Sequence, residues 1–98
     1  MPAIDIIEEG NDLVVTINLP GFAKKYINLR IIGNILYMTV KREQVEPLGT
    51  VYYRHRPLKI YKMVLLPISF KEEKEEKVEG KAKYENGIVT LRIPIYRN

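Results

Sequence analysis

Residues 81–95, KAKYENGIVTLRIPI, decide the fold class of this chain. Asn86-Gly87 stands between two β-prone runs, and this dipeptide is the one best suited to positive φ at both central positions of a two-residue hairpin turn. An antiparallel hairpin is therefore expected to close the chain. Proline at 94 removes a backbone donor and suits a strand terminus. Ile93-Pro94-Ile95 accordingly reads as the end of the final strand, not as a free segment.

Outward from this hairpin the same period recurs. In ILYMTVK, residues 35–41, Leu36, Met38 and Val40 alternate with Tyr37, Thr39 and Lys41; in YINLRII, residues 26–32, Ile27, Leu29 and Ile31 alternate with Asn28 and Arg30. A period of two marks a half-buried strand. Gly33-Asn34 lies between the two runs, so a second tight turn is expected there, with 26–32 pairing antiparallel to 35–41. LVVTINL, residues 13–19, is a further strand, stopped by Pro20-Gly21 in the order a type II turn requires. Two segments depart from this rhythm. Residues 42–57 form a long connection carrying one small β-prone patch, Val51-Tyr52-Tyr53. KEEKEEK, residues 71–77, has charges spaced for a turn or two of helix but no apolar stripe to bury, and is expected to be a solvated connector. Seven or eight short strands with no core-facing helix predict an all-β sandwich or barrel, one domain over 1–98.

Composition narrows function by exclusion. The 98 residues include no cysteine, which removes thiol chemistry, disulfides and thiolate metal sites. One histidine, His55, one serine, Ser69, and two aspartates, Asp5 and Asp12, are too few for a nucleophilic triad except by using the only copies. His55 sits among cations in Arg54-His55-Arg56 and reads as a surface residue. The carboxylate pairs lie beside lysines or in wet segments, without the burial that raises an acid's pKa. The glycines are dispersed at turn positions and do not cluster as a phosphate loop does. No enzyme, cofactor or metal is expected. Nor is a membrane partner, because no apolar window approaches the roughly 18–20 residues of a span and the N-terminus has no leader pattern. A cytoplasmic setting is the expectation.

Sixteen Lys+Arg against 12 Asp+Glu leave a net charge of +4. With seven tyrosines, and with aromatics and cations interleaved in Tyr52-Tyr53-Arg54-His55-Arg56, this makes a single-stranded nucleic-acid-binding β-fold the alternative from another class. No Gly-aromatic ribonucleoprotein signature supports it, and the charge excess is small. No nucleic-acid partner is expected.

Three stretches resemble the α-crystallin domain of small heat-shock proteins, in order and in separation. They are Asp5-Ile6 to Asp12-Leu13-Val14-Val15 with Leu19-Pro20-Gly21-Phe22; Gly33-Asn34-Ile35-Leu36 with Lys41-Arg42-Glu43; and Ala82-Lys83-Tyr84-Glu85-Asn86-Gly87-Ile88-Val89. The last is similar to the family's A-x-x-x-n-G-V-L signature, and similarity runs from about residue 4 to 95. The resemblance implies an immunoglobulin-like two-sheet β-sandwich and an ATP-independent holdase that binds unfolding proteins and prevents their aggregation. It also implies a homodimer, and larger oligomers in a parent protein. In microbial and plant members a strand in the long loop pairs with the partner's first strand. By position the donor here is Val51-Tyr52-Tyr53-Arg54 and the acceptor Ile4-Asp5-Ile6-Ile7, with Lys62 near the interface where relatives carry arginine. Lysine lacks the planar fork, so a bidentate pair is not expected there. The same likeness implies a groove for an I-x-I tail or a client, between Ile27, Leu29 and Ile31 and the segment Val78 to Ala82. Periodicity cannot separate this groove from core, since both use one inward face. The family's apolar N-terminal arm and its C-terminal I-x-I tail are expected to be missing. A CS-type co-chaperone domain, a related sandwich, would instead be a monomer.

Overall fold

The computed structural model of the chain describes residues 3–42, 47–53, 59–77 and 82–95, with the backbone alone described over 71–77. Six strands follow one another: β1 (Ile4–Glu9), β2 (Asp12–Asn18), β3 (Ile27–Lys41), β4 (Lys59–Lys77), β5 (Lys83–Glu85) and β6 (Ile88–Pro94), with a single 3₁₀ turn at Lys24–Tyr26 ahead of β3. All pairing is antiparallel. One sheet has the order β1-β2-β6-β5 and the other is the β3-β4 ribbon. The all-β, two-sheet architecture expected from the sequence is the one observed, with fewer and longer strands among the described residues than expected.

Asn86 (φ 54°) and Gly87 (φ 77°) form the turn between β5 and β6, both with positive φ as the hairpin requires. Gly21 has φ 82°, and the Phe22 amide donates to the Leu19 carbonyl at 3.4 Å, closing the Pro20-Gly21 turn. The two turns also pack on each other. The Leu19 amide donates to the Gly87 carbonyl at 2.7 Å, and the Tyr84 hydroxyl donates to the Phe22 carbonyl at 2.6 Å. Arg42 completes this corner, its guanidinium carbon 4.3 Å from the centroid of the Phe22 ring.

The hairpin expected at Gly33-Asn34 is not formed. Residues 27–41 run on as one strand, and both halves pair with β4, Ile35–Lys41 against Lys59–Leu65 and Asn28–Ile31 against Lys74–Lys77. Gly33 has φ 62°, which a type II′ hairpin turn would accept as readily as a bulge, but both halves of the strand are paired with β4 and so are not folded back on each other. The glycine makes an irregularity in the ladder instead, with register shifts on either side. Its consequence is a change of face. Ile27, Leu29 and Ile31 point inward before the bulge, and Leu36, Met38 and Val40 after it, so the buried set passes from odd to even positions.

The KEEKEEK segment is also corrected. Its backbone is the last third of β4, not a connector, because its partner Asn28–Ile31 supplies ladder hydrogen bonds that a charge pattern alone does not reveal.

One core cluster draws on both sheets, with Leu13, Val15 and Ile17 from β2, Leu36, Met38 and Val40 from β3, and Val89, Leu91 and Ile93 from β6. Ile93 and Ile95 are both buried, so the Ile-Pro-Ile triplet serves the interior at the strand end, as expected. No polar or charged residue is buried among the described residues. Apolar transfer therefore holds the sheets together without a buried ion pair to satisfy.

Candidate functional site

Two kinds of surface are available to a binding protein of this build: the edges of the sheets and whatever apolar face the sandwich leaves uncovered. Strand β1 is an edge of the four-stranded sheet, paired with β2 on one side only. Ile4 and Ile6 lean inward on the core, while Asp5 and Ile7 face outward, Ile7 at 52% exposure. Val51, Tyr52 and Tyr53 form no strand within the single chain, and Tyr52 and Tyr53 are 95% and 87% exposed. Arg54 lies outside the described residues. Lys62 is half-buried on the inward side of β4, between Ile60 and Val64 and opposite Met38. The expected interface residues thus fall in separate places on one copy.

The residues expected to line a groove are interior. Ile27, Leu29, Ile31 and Ala82 are each no more than 5% exposed and belong to the core cluster, whereas Val78 lies outside the described residues.

A surface that the sequence reading passed over lies on the outer face of the ribbon. Tyr61, Met63 and Leu65 alternate along β4 away from the core, 63–71% exposed, opposite Thr39, Tyr37 and Ile35 of β3. The signal was present in the two facing runs, ILYMTV and IYKMVLL, which are apolar at almost every position. Strands read that way when both faces meet apolar surroundings. Here the inner face meets the core and the outer face meets solvent.

Among the described residues no three of His, Asp or Glu gather as a metal site, and no helix is long and apolar enough to cross a membrane. The pKa of Arg92 is raised above the usual arginine value by its 3.0 Å hydrogen bond to Asp12 and by the charge of Glu9. That cluster clamps β1, β2 and β6 on the solvent side and does nothing to activate a reactant.

The fold and surfaces define an α-crystallin-type sandwich, and comparison with known proteins agrees. Over 97% of this chain and 76% of the other, it matches the Del-C4 mutant of hsp14.1 from Sulfolobus solfataricus P2 at 42% identity and a TM-score of 0.74. A second mutant of the same protein matches at 39% identity over 98% and 76%, with a TM-score of 0.77. The hspA of Xanthomonas axonopodis matches at 25% identity over 96% and 92%, with a TM-score of 0.65. No curated protein sequence matches the chain significantly. Residues 5–98 match the Hsp20/alpha crystallin family, and the chain belongs to it. It is a small heat-shock protein, an ATP-independent chaperone without enzymatic activity, from a family whose members typically oligomerise and bind client proteins.

Proposed function

We propose that this chain works as a homodimeric holdase platform, joined by strand exchange and capturing unfolding clients on the outer face of the ribbon. The single observation that carries the dimer is the open side of β1 in a molecule that also holds out an unpaired, β-prone segment at 51–53. Each is half of a ladder. Backbone donors and acceptors on an edge strand gain by adding a strand, and Val51-Tyr52-Tyr53-Arg54 of one copy is of the right type to add to Ile4-Asp5-Ile6-Ile7 of its partner. Lys62 near that junction supplies a point charge.

Client capture is assigned to Tyr61, Met63 and Leu65, because exposed apolar side chains in a row on a rigid strand bind apolar segments without first opening the core. A second entry at Ile27, Leu29, Ile31, Val78 and Ala82, for an I-x-I segment or a client, requires the seam between the sheets to part. A cytoplasmic setting fits a chain without cysteine.

Size-exclusion chromatography with light scattering tests the dimer. The expected mass is twice the chain's 11.5 kDa, falling to one copy in Tyr52→Pro, which removes a backbone donor at a fully exposed position. A monomeric wild type, or a dimeric Tyr52→Pro, refutes strand exchange. Turbidity of a heat-unfolded client tests capture, and Met63→Lys with Leu65→Lys is expected to lose most of the protection while the protein stays folded.

A further inference from the structure

The outer face of the ribbon is not uniformly apolar. Toward the 3₁₀ turn it sinks into an open hollow of about 690 Å³, lined from both halves of β3, from the turn and from the start of β4. Lys25, Lys41 and Lys59 stand on its walls with Tyr26, Tyr37 and Tyr61, and among the residues whose side chains are described no aspartate or glutamate lines it. Among the described residues none of these three lysines is in an ion pair. Lys25 and Lys59 lie instead over tyrosine rings, Nζ to centroid 5.1 Å from Tyr26 and 5.9 Å from Tyr61. Arg30 also lines the hollow but already has an interaction of its own, so it is left out of the charge balance.

A second observation points the same way. Lys41 and Lys59 are directly opposed in register, both exposed and both on the hollow. Like charges opposed across a ladder destabilise it. Proteins break such local rules chiefly at functional sites.

We propose that this hollow binds acidic segments of clients, extended stretches in which carboxylates alternate with aromatic or aliphatic side chains. The inference rests on the assignment of client capture to the ribbon's outer face, and it names the kind of segment selected. Carboxylates pair with the three lysines, and the apolar side chains lie on Tyr37 and on the stripe continuing through Met63 and Leu65. A segment of this kind follows a strand naturally, because its own alternation places charge and apolar groups on separate rows. Single-stranded nucleic acid fits less well, since a lysine already covers one face of two of the three rings that stacking would use.

The test is fluorescence anisotropy with three short labelled peptides in which tyrosine alternates with glutamate, glutamine or lysine, and with labelled oligothymidylate. An exposed ion pair is worth roughly a factor of two to five, so three of them favour the glutamate peptide over the glutamine peptide by roughly ten- to a hundred-fold at low salt. The preference falls as salt screens it. Charge reversal of the exposed Lys25, Lys41 and Lys59 to glutamate removes it, and Lys83→Glu on the other sheet leaves it unchanged. The single variant Lys41→Glu is the sharpest arm. It places opposite charges across the ladder, so it is expected to raise Tm while weakening the acidic peptide at least two-fold, which a purely structural lysine would not do. Equal binding of the glutamate and glutamine peptides overturns the proposal. So does oligothymidylate binding more tightly than the glutamate peptide through the same lysines. A fall in oligomer mass on charge reversal assigns the hollow to a neighbouring copy, and overturns it as well. Turbidity of an unfolding client, run in parallel, separates the two claims. Loss of holding with peptide binding intact counts against the holdase assignment, and intact holding without peptide binding counts against this one.

Discussion

Replacing Gly87 by alanine tests the corner at which the Pro20-Gly21 and Asn86-Gly87 turns meet. Gly87 has φ 77°, and a Cβ added there would lie 3.1 Å from the Pro20 Cα and 3.4 Å from its Cβ. Gly10 is the matched control, with φ 60° and nothing within 4 Å of the added atom. Left-handed backbone costs an alanine about 1–2 kcal/mol at either site. At Gly87 the proline backbone must also move, which strains the 2.7 Å hydrogen bond from the Leu19 amide and adds on the order of 1–2 kcal/mol. In a domain of this length each kcal/mol shifts Tm by roughly 4–8 °C. Gly10→Ala is therefore expected to lower Tm by about 5–15 °C, and Gly87→Ala by about twice as much. Circular dichroism melts at one fixed protein concentration read both, since association makes Tm concentration-dependent. Equal losses in the two variants would show that the turns do not press on each other, and would refute the packing account of this corner.

Three further outcomes follow from the same geometry. Leu36→Ala, at a fully buried position, should cost about 2–5 kcal/mol in urea unfolding, and Leu65→Ala, largely exposed on the outer stripe, about 0.5 kcal/mol or less; comparable costs would contradict the assignment of inner and outer faces. Tyr84→Phe leaves the Phe22 carbonyl without its 2.6 Å donor and should cost about 1–3 kcal/mol with the oligomer mass unchanged. Arg92 has a raised pKa, so its contribution is complete at every pH below the ordinary arginine value and is lost only in strong alkali. Arg92→Gln should therefore lower stability by the same small amount at each pH from about 5 to 9, and a difference that varies across that interval would point to an acid whose titration depends on Arg92.

The chaperone family was legible because its signature residues are local conformational requirements. Asn86-Gly87 and Pro20-Gly21 each prescribe a backbone shape with their own side chains, and the structure adopts both. The closing hairpin, the alternation in residues 35–41 and the strand-terminal Ile93-Pro94-Ile95 were readable for the same reason. The candidate surfaces were less so. The lysines of the hollow come from the turn, from the end of β3 and from the start of β4, positions separated by many residues and joined only by register. The outer stripe was visible as an excess of apolar residues, but not as a surface.

By itself the sequence determined that this chain is built of short antiparallel strands, since turn residues and a period of two act over a few residues and need no distant partner. Its resemblance to the α-crystallin domain pointed to the two-sheet sandwich and the family. Tertiary structure alone decided what Gly33 does, because a glycine with positive φ serves a hairpin or a bulge equally well and only the pairing of both halves of β3 with β4 selects between them. It decided likewise that KEEKEEK extends a strand, and that Ile27, Leu29 and Ile31 are interior. In each case the determining contact comes from residues far along the chain, and pairing across such distances leaves no mark in local composition.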